Sequence, residues 1–291
     1  MDSWLAVSND DAGTSDDEVI AATLEALRKV ADVQHVATRD PDHLSATLAE
    51  HPDVDLVVAM GGDGSLHAVV QALHDADRLP GTPVGLVPLG TGNDFARTLG
   101  LAEDPVDAAR ELAAGHVRRI DLILDGAGTV VVNAAHVGIG AEAAARAEPV
   151  KPALGPAAYV LGAVSTLFSG SAHVRVTIDA ETVSGHVAQV AVGNGRFVGG
   201  GGELLPHAVV DDGLMDVSVA FAANVTQRIA YALHLRRGTH PEATFVHYTR
   251  ATSVKVVSDG LRCTSDGELS DARTEHSWEL LAGRLAMRLP Q

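Results

Sequence analysis

Two glycine-rich stretches carry the residue types from which a phosphate site is built. The first is Asp55-Leu-Val-Val-Ala-Met60 running into Gly61-Gly-Asp-Gly-Ser-Leu-His67. Its continuous apolar run suits a strand buried on both faces of a parallel sheet. Leu66, Val69, Val70 and Leu73 then recur at helical spacing, with Ser65 placed to cap the helix. Between strand and helix lie Gly61, Gly62, Gly64 and one carboxylate, Asp63. Bare backbone N–H groups and the positive end of a helix meet there, which is what a polyphosphate requires. An ordinary tight strand–helix turn would use the same glycines. The second stretch, Pro88-Leu-Gly-Thr-Gly-Asn-Asp-Phe-Ala-Arg97, repeats the pattern with Gly90, Thr91, Gly92, Asn93 and Asp94. Doubly wound sheets hold ligands beyond the carboxyl ends of their strands, so the two loops are expected to face one another across a single polyphosphate.

What is missing narrows the chemistry. There is no Gly-x4-Gly-Lys-Ser/Thr sequence, and neither loop carries a lysine. Charge on a polyphosphate must then be met by backbone N–H groups and a divalent cation, positioned by Asp63 and Asp94. Asp63 is expected to serve magnesium rather than packing. Later in the chain, Asp266-Gly267-Glu268 is either a surface turn or a source of a general base for a substrate hydroxyl. Asp211-Asp212-Gly213 reads as a β-turn, or as a turn whose Asp212 carboxylate and neighbouring carbonyls hold a structural divalent ion. Gly138-Ile-Gly-Ala-Glu-Ala143 fits a dinucleotide pattern but opens no alternating βαβ series, so it reads as a tight turn into a helix. The fourteen histidines have no zinc spacing, and no Gly-x-Ser-x-Gly elbow occurs.

The elements that must position these residues divide the chain. Strands at Trp4–Val7, Val33–Val36, Leu56–Met60 and Pro83–Pro88 alternate with helices at Asp16–Val30, Asp42–Glu50, after Ser65, after Asn93 and at Val106–Ala114. That alternation implies a parallel sheet covered on both faces. Past Arg118-Arg119-Ile120-Asp121 strand signals dominate, with helices only at Ala141–Ala147, Ala157–Phe168 and Thr226–Leu235. The expected organisation is an α/β nucleotide domain over 1–119 and a mainly antiparallel β domain over 120–291, its last strands returning to the first.

With 38 acidic against 21 basic side chains the net charge is -17, which repels nucleic acid and anionic bilayers. A single cysteine, Cys263, forbids an internal disulfide and fits a reducing, cytoplasmic interior. No signal-peptide pattern opens the sequence, and the uncharged run from Pro152 is too interrupted for a ~20-residue membrane span.

Together these residues resemble the bacterial diacylglycerol kinase family, lipid kinases related to sphingosine and ceramide kinases. Gly61-Gly-Asp-Gly-Ser65 is similar to the family's nucleotide loop, and Pro88–Arg97 to its second loop almost residue for residue. Gly193-Asn-Gly-Arg196 with Gly199–Gly202, Pro206-x-Ala208 and Asp211–Val217 resembles its C-terminal signature, and Asp266-Gly-Glu268 its acidic triplet. The resemblance implies a Rossmann-like nucleotide domain followed by a β-sandwich. It also implies ATP at Asn9, Gly13, Thr38, the loop Gly61–His67 (including Leu66) and the loop Gly90–Asp94. Structural magnesium would sit at Asp212 with the carbonyls of Val209 and Leu214, and Glu268 or Asp266 would be the base, with Asp63 organising catalytic magnesium. One departure stands out: the family's Asn-Pro after the first strand is replaced here by Asn9-Asp10-Asp11. Those carboxylates would repel a triphosphate unless they point away.

The expected function is therefore ATP- and magnesium-dependent transfer of the γ-phosphate to a lipid hydroxyl such as that of diacylglycerol. The enzyme would be cytoplasmic, touch the membrane surface transiently at Arg236-Arg237 or the 157–168 helix, bind no nucleic acid, and be free to form a homodimer. The alternatives are an NAD kinase-like enzyme and a lipid- or nucleotide-binding protein that has lost turnover.

Overall fold

The computed structural model describes residues 2–9, 17–138, 141, 172–222 and 224–290. Gly13, Asp10, Asp11 and both helices expected between 141 and 168 lie outside them, apart from Ala141 itself. The chain forms two compact units: Met1–Leu122 with Gly199–Gly201 and Leu281–Gln291, and Ile123–Val198 with Gly202–Leu280. No helix of the described residues is long and apolar enough to cross a membrane.

In the first unit, strands β1 (Asp2–Asn9), β2 (Ala31–Thr38), β3 (Leu56–Gly61) and β4 (Val84–Pro88) pair in parallel in the order β2-β1-β3-β4. Every residue of β3 and β4 is buried, which is why their sequences read as unbroken apolar runs. Between strands run the helices α1 (Asp17–Arg28), α2 (Pro41–Glu50) and α3 (Asp63–Asp75), followed by α4 (Asp94–Leu99) and α5 (Pro105–Ala114). Alternation along β1 sends Trp4 and Ala6 to a core shared with Leu24 and Leu27 of α1 and Leu112 of α5. Val7 lies with Leu44 of α2 and Val69 of α3. Leu66, Val69, Val70 and Leu73 form the buried stripe of α3, as their spacing predicts.

The second unit is an antiparallel sandwich. Its strands are the end of β5 (His116–Asp125), then β6 (Val130–Val131), β7 (Ala134–Gly138), β8 (Ala172–Ile178), β9 (Glu181–Val187), β10 (Gln189–Gly193), β11 (Phe197–Val198), β12 (Gly202–Glu203) and β13 (Met215–Ala220). After helix α6 (Val225–Leu235) come β14 (Val246–Ala251), β15 (Ser253–Leu261), β16 (Cys263–Ser265), β17 (Glu268–Leu269) and β18 (Arg273–Leu289). One sheet has the order β14-β13-β10-β7-β16-β17, and β18, β15, β8 and β9 run consecutively in the other. Ala135, Val137, Val190, Val192, Val217 and Val219 of the first pack with Val174, Val176, Val254, Val256 and Trp278 of the second. Residues of β18 from Leu281 onward belong to the first unit, where Met287 pairs in parallel with Val84. The α/β domain and the antiparallel β-sandwich expected from the sequence are both present.

Candidate active site

The two glycine loops are in direct backbone contact. Leu89 N–H donates to the Gly61 carbonyl at 3.0 Å, extending the β3–β4 ladder past the strand ends. A Cβ on Gly90 would lie 2.6 Å from Gly62 Cα, and one on Gly62 would lie 3.2 Å from Gly90 Cα. A side chain at Gly90 would run into the Gly62 backbone, and one at Gly62 would require its neighbour to give by a few tenths of an ångström. The loops therefore do not face one another across a polyphosphate as expected. They form one continuous ridge at the carboxyl ends of β3 and β4.

Asp63 ties the ridge together. It is the first residue of α3, yet its Oδ2 accepts from Asp94 N–H at 3.0 Å and its Oδ1 from Phe95 N–H at 2.9 Å. It is thus the cap of α4, supplied from another helix. Asn93, in the local N-cap position, is left-handed at φ +50 and makes no capping bond; its Nδ2 donates to the Gly90 carbonyl at 2.7 Å. Ser65, expected as the cap of α3, sits inside the first turn behind the N-cap Gly62. The expectation that Asp63 has no packing role is corrected: it holds one loop to the other.

Asp94, expected to help position a cation, is committed to protein partners. It is 5% exposed and accepts from Gly200 N–H at 2.9 Å, Gly201 N–H at 2.7 Å and the Arg97 guanidinium at 3.1 Å. Burial, reinforced by the Asp63 charge, raises its pKa above the ordinary carboxylate value. With both oxygens engaged it is a poor ligand for a metal. Asp63 fits better, because among the described residues each of its oxygens accepts a single N–H bond and retains a lone pair.

Two hollows flank the ridge. Asn9, Thr38, Gly64 and Ser65 line one of about 160 Å³, along with Ser8 and Arg39. The Thr38 hydroxyl is already donated to the Ser8 carbonyl at 3.1 Å, which leaves its lone pairs to accept. Arg39 is a cation at the carboxyl end of β2 that inspection of the loops alone overlooked, although it directly follows Thr38. Thr91, Gly92 and Asn93 line the other, of about 400 Å³, with Arg97, Leu101 and Glu103. The Leu66 side chain is 1% exposed and belongs to the core, so only its backbone could serve a ligand. His67, one turn into α3, is half-buried.

In the second unit, Asp266 and Gly267 form a two-residue turn, at φ +47 and +93, joining β16 to β17 with Ser265 opposite Glu268. The Asp266 carboxylate accepts from the N–H groups of Val132 at 2.7 Å, Asn133 at 2.9 Å and Ala134 at 3.1 Å. Glu268 is exposed, and its side chain has no hydrogen-bond partner among the described residues. The two acids of the triplet are thus differently employed. At the other acidic turn, Asp212 accepts Leu214 N–H at 3.1 Å and pairs with Arg250 at 2.9 Å, while Val209 is partly exposed. Among the described residues no group of three or more His, Cys, Asp or Glu could hold a metal. Each oxygen of Asp212 makes one bond and keeps a lone pair, so a cation held there with backbone carbonyls would share the carboxylate with Arg250.

The model of the diacylglycerol kinase catalytic domain matches residues 3–124, and that of the YegS C-terminal NAD kinase beta sandwich-like domain matches residues 131–285. The chain belongs to the bacterial diacylglycerol kinase family. Among its relatives, a protein of Bacillus subtilis (strain 168) named diacylglycerol kinase is 34% identical over 220 residues, covering 74% of this chain and 72% of that one. A diacylglycerol kinase of Staphylococcus saprophyticus is 27% identical over 245 residues, 84% of this chain and 77% of that one. The crystal structure of a diacylglycerol kinase from Bacillus anthracis str. Sterne superposes with a TM-score of 0.76 at 22% identity, over 99% of this chain and 97% of that one. This last likeness bears on the fold alone. Membership makes the chain a lipid kinase by family, and the ridge described above lies inside the matched catalytic domain.

Proposed function

We propose that this lipid kinase transfers the γ-phosphate of ATP, with magnesium, to a free hydroxyl of a glycerolipid such as diacylglycerol. The observation that carries the reading is the Gly62–Gly90 junction with Asp63 bridging both loops. Phosphoryl transfer asks mainly for positioning and charge neutralisation, and the glycine backbone of the ridge, tied together by Asp63, would supply the first. Arg39 supplies a positive charge beside the hollow that takes the nucleotide. Magnesium, when bound, neutralises polyphosphate charge, and Asp63 is the carboxylate that would hold it through water.

Glu268 is the proposed base. A base must reach about 3 Å from the attacking hydroxyl, and Glu268, exposed and without a partner among the described residues, can extend to do so. It accepts the hydroxyl proton as the lipid oxygen bonds to the γ-phosphorus, and ADP leaves. Asp266 holds the turn from which Glu268 projects.

The second domain is similar to an NAD kinase beta sandwich-like domain, which makes a dinucleotide the alternative acceptor. Incubation with labelled ATP, magnesium, and either a panel of glycerolipids and sphingoid bases or NAD separates the readings. Labelled glycerolipid is the expected result. Labelled dinucleotide in its place, or no product with either acceptor, overturns the proposal.

A further inference from the structure

Helix α6 presents an apolar stripe to solvent. Val225, Ile229 and Leu233 are 40%, 43% and 54% exposed, and their spacing of four residues places them along one face. Ala232 and Arg236 are exposed on that same side, and Arg237 follows. The opposite face is seated: Tyr231 is buried among Ala188, Ala220 and Ala222, with Leu235 packed against them. The helix is also well terminated. Asn224 accepts Gln227 N–H at 2.9 Å at its start, and His234 bonds Thr239 at 2.9 Å at its end. The stripe therefore belongs to a firmly held helix, and its exposure is not the fraying of a terminus.

The helix is unlike the rest of the chain in its own charge, with the Glu203 carboxylate lying beside Gly238 just past its end. In a chain of net charge -17, no Asp or Glu occurs between Asp216 and Glu242, whereas Arg228, Arg236 and Arg237 do. Arg228 is buried and bonds the Ala222 carbonyl, which leaves Arg236 and Arg237 as the outward cations. An exposed apolar row ending in two arginines is the pattern of a helix that lies in a bilayer interface. At 11 residues it is far too short to span one.

We propose that the α6 face is the membrane-docking surface of this protein and that its partner is an anionic lipid bilayer. Charge complementarity selects that occupant. Each arginine near an anionic surface multiplies partitioning by about fivefold. The acidic remainder of the chain is screened beyond roughly 8 Å at physiological salt. The apolar row adds what charge alone lacks, since insertion of Val225, Ile229 and Leu233 needs no new cavity. The inference rests on the lipid-kinase reading for its purpose, because such a substrate is drawn from a membrane, but the surface itself is argued independently.

The test uses the full chain and vesicles of phosphatidylglycerol or of phosphatidylcholine, read by co-sedimentation. Wild type should bind the anionic vesicles at least tenfold more tightly, with binding weakened by salt. Ile229→Glu with Leu233→Glu should lose at least tenfold in vesicle affinity with Tm unchanged, both sites being exposed. Arg236→Gln with Arg237→Gln should lose the salt dependence. Phosphorylation of a short-chain diacylglycerol in solution should be unchanged in all variants. Wild-type vesicle binding at the level of the Glu variant would overturn the inference even where soluble lipid is phosphorylated. So would a wild-type dimer in sedimentation that Leu233→Glu splits, since a second copy would then cover the face. Failure to phosphorylate any soluble lipid, with vesicle binding intact, would instead count against the kinase reading.

Discussion

Asp266 is held at φ +47 by three backbone N–H bonds, while Glu268 two residues later touches no partner among the described residues. Opposite consequences of neutralisation follow. Glu268→Gln keeps shape and removes basicity, so kcat should fall ~10²-fold or more with the KM for ATP little changed. Asp266→Asn turns an amide towards donors that a carboxylate had satisfied. It should cost about 2 kcal/mol, seen as a Tm several degrees lower, with a smaller effect on kcat. If the Asn variant keeps its Tm and loses all turnover, the roles are reversed. Asp63 combines both burdens. Asp63→Asn should abolish transfer and, by unpairing the first turn of α4, also cost about 1–2 kcal/mol in urea unfolding. An inactive variant of full stability would return Asp63 to a purely metal-directed role.

Elements meet at the Gly62–Gly90 junction, where the atoms in the way of a side chain are mostly backbone and have little freedom to move aside. Gly90→Ala should therefore force the loops apart, lowering Tm and abolishing transfer together. Gly64 offers the contrast, since a Cβ there meets nothing within 4 Å and the residue lies in α3. Gly64→Ala should leave Tm equal or higher, yet raise the KM for ATP if phosphate rests on that turn. An unchanged KM would move the phosphates away from α3. The same junction explains what could be read from the residues in advance. Apolar runs and glycine loops announced β3, β4 and α3, because burial on two faces and bare backbone each leave a local mark. The Asp-Gly pair of 266–267 likewise announces its hairpin. The capping of α4 by Asp63 left no such mark, since cap rules look for the acceptor next to the helix and this one is a helix away. The attachment of Asp94 to Gly200 and Gly201, across a hundred residues, was invisible for the same reason. The short β11–β12 hairpin and β14 carry too little alternation to stand out.

At the scale of the whole molecule, buried titratable groups link stability to pH. Desolvation lowers the pKa of His136 to about 4, and burial lowers that of His240 to about 4 against a hydrogen bond to the Leu204 carbonyl. Both lie in the second unit, and the Nδ1 atom of each is buried without a partner among the described residues. In the unfolded chain both titrate near 6.5. Between those values the unfolded state binds protons that the fold refuses, so stability rises with pH; it is fully present above about 6.5 and is lost as pH falls towards 4. Each histidine accounts for at most about 3 kcal/mol across that window. Asp94 and Asp216 act in the opposite sense, because burial raises their pKa and the fold retains protons that the unfolded chain releases above its ordinary value. Of the two, only Asp216 lies in the second unit, where it opposes the histidines. Urea unfolding of a Trp4→Phe variant leaves Trp278, in the sandwich core, as the reporter for the second unit. Its unfolding free energy should drop from pH 7.5 to 5.0 with a slope approaching two protons. His136→Leu should flatten that slope by about one proton. A slope that stays the same in the Leu variant would mean that His136 is as readily protonated in the fold as out of it.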